Sequence, residues 1–190
     1  MPLPFPNSEG SKGIFPANQK DLEVLFAEEF VHLSGKFAFC LDEADAAHQL
    51  SRLVIQKKWT KLFTAEDSLL PFIESARLTS DLSGCEASLT TCHYLVARTG
   101  AIVLSSRQNK GRTTSVYAPV HICIAYTDQL VFDTREALKL MKEQYGSNLP
   151  SSITFAAGPS RTADIEKTLV VGVHGPMEVY VFLIYRQEAD

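Results

Sequence analysis

The sequence predicts one three-layer α/β domain (αβα) built on a mostly parallel sheet. Three observations lead there. Strand-like and helix-like apolar patterns alternate along the first third of the chain. The last strand is apolar on both faces, which suits a sheet covered on both sides. A chain of 190 residues has room for one core, and no internal repeat or second core is visible.

In chain order, residues 1–17 form an extended arm, with Pro2, Pro4 and Pro6 at alternate positions, and residues 18–190 form the domain. NQKDLEVLFAEEFVHL sets Leu22, Leu25, Phe26 and Phe30 at helical spacing, and Gly35 stops that helix before the strand KFAFCL. DEADAAHQLSRLVIQKK is a helix with acids at its start and lysines at its end, complementing its dipole. The strand KLFTA leads to a helix from about Ala65-Glu66-Asp67 that carries Leu69, Leu70 and Ile73. Residues 87–106 are less regular, but Tyr94–Ala97 and Ala101–Leu104 flank Arg98-Thr99-Gly100 as a hairpin would, with glycine supplying a positive φ. RQNKGRTTS has no apolar residue and reads as an exposed, mobile loop. PVHICIAY is a two-sided apolar strand, QLVF a short one, and TREALKLMKEQYG a helix closed by glycine. In MEVYVFLIYR, Val179, Val181 and Leu183 face one way and Tyr180, Phe182 and Ile184 the other.

A net charge of -4 argues against nucleic acid as a partner. No apolar run reaches the roughly 18 residues of a membrane span, and the N-terminus lacks the basic and apolar regions of a secretory signal. Cys40, Cys85, Cys92 and Cys123 form no CxxC pair, and three lie in apolar stretches, as free thiols of a cytoplasmic protein do. No metal and no other cofactor is expected.

The chemistry concentrates in GPSRTADIEKTLVVGVHGP, residues 158–176. Thr168–Val173 reads as a buried strand that turns tightly at Gly172-Val173-His174-Gly175-Pro176. Ser160 or Thr162 can cap a short helix whose amides face an anion. Asp164 and Glu166 then occupy its positive end, either as local caps or as proton-transfer groups, unless Arg161 or Lys167 offsets them. His174 titrates near neutrality and sits between glycines, so it either exchanges protons with a substrate or fixes the turn. His121, inside an apolar strand, reads as a hydrogen-bonded core residue. Thr99-Gly100 is either a plain turn or a pocket rim, and Arg107, Lys110 and Arg112 either a solvated surface or a lid over an anion.

In order, A-x-T-G before a strand ending in Ser-Ser, K-G-R, P-x-H-I, and G-P-S-x-T-A-D-I-E…V-V-G-V-H-G-P resemble the LUD-domain family, in its short lactate-utilisation protein C type. The resemblance covers residues from about 85 to 185. It implies the NagB/RpiA/CoA-transferase-like fold and a non-cluster role in oxidising L-lactate to pyruvate, with iron–sulfur clusters held by partner subunits. Thr99, Gly100, Gly111, Arg112, Gly158, Pro159, Ser160, Thr162, Asp164, Glu166, Gly172, His174, Gly175 and Pro176 match the family's motif; among them His174, Asp164 and Glu166 are the candidate catalytic groups, and Thr99, Gly100, Arg112, Gly158, Ser160, Thr162, Gly172 and Gly175, with Arg98 beside them, the candidate ligand contacts. Arg98 stands where many members carry Glu, which favours a small anionic ligand. A stand-alone enzyme acting on a carboxylate or phosphate, or a non-catalytic assembly protein, stays open beside this reading, as does a homo-oligomer.

Overall fold

The computed structural model describes residues 21–108, 111–162, 170–171 and 175–186. The N-terminal arm lies outside them. Helix α1 (Leu22–His32) buries Leu25, Phe26 and Phe30, and Ser34 turns the chain with φ 69° into β1 (Lys36–Cys40). Helix α2 (Glu43–Lys57) starts at Asp42, whose side chain accepts the Asp45 N–H at 2.7 Å, and ends at Lys58 in the left-handed region. The edge strand β2 (Leu62–Thr64) and β3 (Ala87–Thr90) follow. Then come β4 (Tyr94–Val96), β5 (Ala101–Ser105), α3 (Gly111–Tyr117), β6 (Val120–Tyr126), β7 (Leu130–Val131), α4 (Thr134–Tyr145), β8 (Ile153–Ala156), β9 (Arg161–Thr162), β10 (Val170–Val171) and β11 (Glu178–Ile184).

The principal sheet has five strands in the order β1-β11-β6-β3-β2, every pair parallel. The two-sided alternation of β11 is as the sequence predicts. Tyr180, Phe182 and Ile184 join Ala46, Leu50 and Val54 of α2 in one apolar layer. Val179, Val181 and Leu183 join Phe26 and Phe30 of α1 in the other. The α/β class and the mostly parallel sheet therefore stand.

Four features differ from expectation. The 94–104 hairpin is half of a second sheet, β7-β4-β5-β8, which packs with α1 against the principal sheet and carries α4 on its far side. The expected helix after β2 is a 3-10 helix, Asp67–Phe72, because Pro71 lacks the N–H that an α-helical turn would bond to Asp67. β3 is a buried inner strand of the principal sheet, where the sequence reads as irregular. Its polar side chains hide it: the Ser88 hydroxyl donates to the Thr114 carbonyl at 2.6 Å, and Thr90 Oγ1 bonds His121 Nε2 at 2.8 Å. Residues 111–117 are helical rather than a loop, with Thr114 and Ser115 buried.

Gly100 and Gly146 separate two costs. Both have positive φ, 58° and 56°, but a Cβ at Gly100 would stand 2.7 Å from the Phe30 nitrogen, while at Gly146 nothing lies within 4 Å. Gly100 is left-handed (ψ 30°) and Gly146 (ψ -125°) lies outside that well, so Gly146→Ala should cost about 1–3 kcal/mol of backbone strain, and Gly100→Ala, where overlap with the helix backbone adds to the strain, about 4 kcal/mol or more. Urea unfolding of the two variants measures the difference, and equal losses would refute the helix contact.

Candidate functional site

Of the predicted site residues, His174, Asp164, Glu166 and Gly172 lie outside the described residues, as do the side chains of Arg112 and Thr162. The others gather at one edge. The β1 strand begins just after α1, and β11 begins just after Gly175-Pro176-Met177. The Met177 N–H donates to the carbonyl of Pro119, the residue preceding β6, at 2.8 Å. Since β1, β6 and β11 are parallel, these starts share the amino edge of the sheet. The sequence reading sets the glycine bend beyond the carboxyl end of a buried strand. Instead β10 pairs antiparallel with β9 in a separate two-stranded ribbon, and the Gly175 bend leads into β11.

At that edge the Ser160 N–H donates to the Pro176 carbonyl at 2.9 Å, and a Cβ on Gly175 would stand 2.9 Å from the Ser160 Cβ. Ser160 and Gly175 are thus in contact. Gly158, φ 73°, lies against α1: a Cβ there would stand 2.5 Å from the Leu33 carbonyl oxygen. Arg161 donates through Nη2 to the Leu33 carbonyl and to Ser34 Oγ, both at 2.7 Å. A cation thereby caps the negative end of α1. Among the described residues, Arg161 serves the helix terminus. Its own backbone is extended, in β9, and the short helix that Ser160 or Thr162 is expected to cap lies outside the described residues.

The Arg98-Thr99-Gly100 turn meets the same helix one turn earlier. It is a 3-10 turn, Ala97–Thr99, closed by Gly100, which abuts the backbone of Glu29 and Phe30. The Arg98 side chain is exposed, and its backbone N–H donates to the Phe132 carbonyl at 3.1 Å. Thr99 Oγ1 is buried with no hydrogen-bond partner among the described residues. Such an atom costs about 1–3 kcal/mol in desolvation unless something reaches it. The turn therefore carries an unsatisfied polar atom beside an exposed guanidinium, where a ligand oxygen can be met.

Behind β3 and β6 lies a buried polar seam. Burial pushes the His121 pKa down to about 4, so the ring is neutral at pH 7 and holds Thr90, as the core reading of this histidine requires. Burial also lowers His93, whose Nε2 bonds Ser105 Oγ at 2.8 Å. The Glu66 carboxylate accepts the Thr91 N–H and hydroxyl, and Gln108 Nε2 donates to the Thr91 carbonyl at 2.9 Å. These groups are paired and fix the ends of β3 and β5.

The four cysteines are free, buried thiols. Burial, with Asp45 and Asp42 nearby, pushes Cys40 up to about 12, which keeps it protonated and unfit as a thiolate ligand. Among the described residues, no group of three His, Cys, Asp or Glu side chains is placed to hold a metal.

A hollow of about 750 Å³ opens at the carboxyl end of β2, bounded by Phe63, Thr64, Ala65, Asp67, Leu70 and residues 78–80. Its walls come from a strand end, a 3-10 helix and a returning segment, so no contiguous motif marks it.

Fold and edge together define an α/β protein with a parallel sheet and a polar turn at its amino edge. The chain belongs to the LUD-domain family, with residues 57–184 matching the LUD domain. Lactate utilization protein C of Halalkalibacterium halodurans is 35% identical over 113 residues, covering 58% of this chain and 49% of that protein. The protein of the same name from Geobacillus thermodenitrificans is 40% identical over 91 residues, 47% of this chain and 38% of that one. The chain spans about half the length of the curated relatives it matches. The crystal structure of a DUF162 family protein from Deinococcus radiodurans superposes with a TM-score of 0.68 at 18% identity, covering 89% of this chain and 99% of that one, a likeness of fold. No helix among the described residues is long and apolar enough to cross a membrane.

His121 makes stability depend on pH. Its folded pKa, about 4, lies below the ordinary value of 6.5, so between these values the unfolded chain binds the extra proton. Stability should rise with pH across that window and fall as pH drops through it, by an amount on the order of 2–3 kcal/mol. Urea unfolding at pH 7 and pH 4.5 measures the change. His121→Gln, which can still bond Thr90, should flatten that dependence, and an unchanged slope would remove His121 as its source.

Proposed function

We propose that this chain is a non-cluster component of an L-lactate utilisation system. Lactate becomes pyruvate by losing two electrons and two protons, and in this reading companion iron–sulfur subunits accept the electrons. The observation that carries it is membership of the LUD-domain family together with 35% identity to a protein named for lactate utilisation. The four free cysteines are all buried, which fits a partner-held cluster, because none is presented at the surface.

Within this reading the chain binds a small carboxylate or phosphate at the amino edge. The Thr99 hydroxyl supplies a donor and Arg98 a guanidinium, which suits carboxylate oxygens. Ser160, Gly158 and Gly175 shape the backbone beside them. His174, Asp164 and Glu166 are assigned proton transfer, with Gly100, Arg112, Thr162 and Gly172 completing the ligand contacts. A second reading, a stand-alone enzyme on the same anion, draws on the unsatisfied Thr99 hydroxyl alone.

Deleting the gene should abolish growth on L-lactate while sparing growth on pyruvate, and the tagged chain should co-purify with iron–sulfur subunits from lactate-grown cells. Normal growth on lactate after deletion would overturn the lactate reading. A thermal shift with L-lactate or phosphate in the isolated chain, without co-purification, would favour the second.

Thr99→Val separates ligand binding from packing. Removing a buried hydroxyl without a partner should leave stability unchanged or raise it by about 1 kcal/mol. The same variant should lose the ligand-induced thermal shift and the rescue of growth. A destabilised variant that still rescues would assign Thr99 to structure.

A further inference from the structure

The hollow beside β2 has chemistry opposite to that of the amino-edge turn. It lies at the carboxyl end of a parallel strand, the side on which open α/β sheets hold ligands, and its volume of about 750 Å³ suits a small molecule. β2 is the outermost strand of the sheet, and the segment beyond it is pinned by a parallel bridge between Leu62 and Leu78 and by the Thr79 N–H donating to the Leu62 carbonyl at 2.9 Å. The hollow is therefore walled by ordered backbone.

Three properties of the walls define an occupant. Among the described residues, Asp67 is the one ionisable side chain lining the hollow, and it has no ion pair or hydrogen bond. Of the cations nearest along the chain, Lys61 acts on Asp81 and Glu86, and Arg77 is spent on the Glu74 carboxylate and the Trp59 carbonyl. The hydroxyls of Thr64 and Thr79 accept the N–H groups of Glu66 and Asp81, both at 3.1 Å, so each keeps its own proton to donate. Leu70 and Leu78, each 41% exposed, add apolar wall beside Phe63.

We propose that this hollow binds a small primary amine with an apolar body. The ammonium sits on Asp67, an oxygen of the ligand accepts from Thr64 or Thr79, and the hydrocarbon packs on Phe63, Leu70 and Leu78. A lone carboxylate with no base beside it repels lactate, pyruvate and phosphate, so this site is separate from any anion site at Arg98. The inference does not depend on the lactate reading.

The test uses the full chain and two probes matched in shape and opposite in charge, phenethylamine and hydrocinnamate. Titration followed by backbone amide NMR should give saturable shifts with phenethylamine, centred on residues 64–67 and 78–80. Hydrocinnamate should give none that saturates. Asp67→Asn should weaken phenethylamine about fivefold, the size of one exposed ionic contact. Equal binding of the two probes, shifts centred elsewhere, or an Asn variant with unchanged affinity would each overturn the assignment. The first two are read on the unmodified chain, so the test survives a variant that fails to fold.

Discussion

The structure turns on the space around Phe30. Its ring is fully buried and stacks on Phe26 with centroids 5.4 Å apart. A Cβ at Gly35 would stand 2.4 Å from that ring, and one at Gly100 would stand 2.7 Å from the Phe30 nitrogen. One residue thus sets the exit of α1 into β1 and the seat of the second sheet against α1. Any side chain at either glycine would push apart elements that gain their dispersion contacts only at this distance. Gly158 repeats the arrangement one turn later, against the Leu33 carbonyl. Arg161 then ties the same carbonyl, and the end of α1 becomes the post to which two distant segments, residues 97–100 and 158–161, are fastened.

That fastening decides where chemistry can sit. Gly100 and Gly158 are accounted for by backbone approach to a helix, so their presence is no longer an argument for a ligand. What survives of the sequence-derived site among the described residues is narrower: the Thr99 hydroxyl, the Arg98 side chain and the contact of Ser160 with Gly175. All three are held at the amino edge, because the segments bearing them are anchored to the end of α1 or run into the start of β11. The carboxyl end of β2 is a second open region, and among the described residues lining it the one charged side chain, Asp67, is negative.

Much of this was legible in the residues and some could not be. Apolar strands announce themselves, and β11 shows both its faces in its alternation. β3 does not, because Ser88 and Thr90 read as surface residues until His121 and the Thr114 carbonyl are brought to them from 31 and 26 positions away. Pro71 was visible, yet Leu69, Leu70 and Ile73 still suggested an α-helix; the missing N–H decided for the tighter turn. At the site, the positive φ of Gly100 follows from its place in a turn. The orphan state of the Thr99 hydroxyl does not, since it depends on which atoms fail to approach.

The amino edge also carries a charge that no short stretch of sequence reveals. Partial burial alone would raise the Glu178 carboxyl, but hydrogen bonds from Lys36, Tyr180 and Lys57 outweigh it and bring the group down to about 2. Burial and that carboxylate together push Tyr180 up to about 12. Across the neutral range the cluster therefore holds two ammonium groups and one carboxylate, a net positive charge where β11 begins, three residues after Gly175. Solvent screens much of it, since these side chains are 31–45% exposed. Even so, its sign agrees with that of Arg98 and opposes that of Asp67. Among the described residues, the Lys36–Glu178–Lys57 cluster and Arg98 are thus cationic, while Asp67 at the carboxyl end of the edge strand β2 is anionic, so charge favours opposite ions at the two places before any closer contact forms.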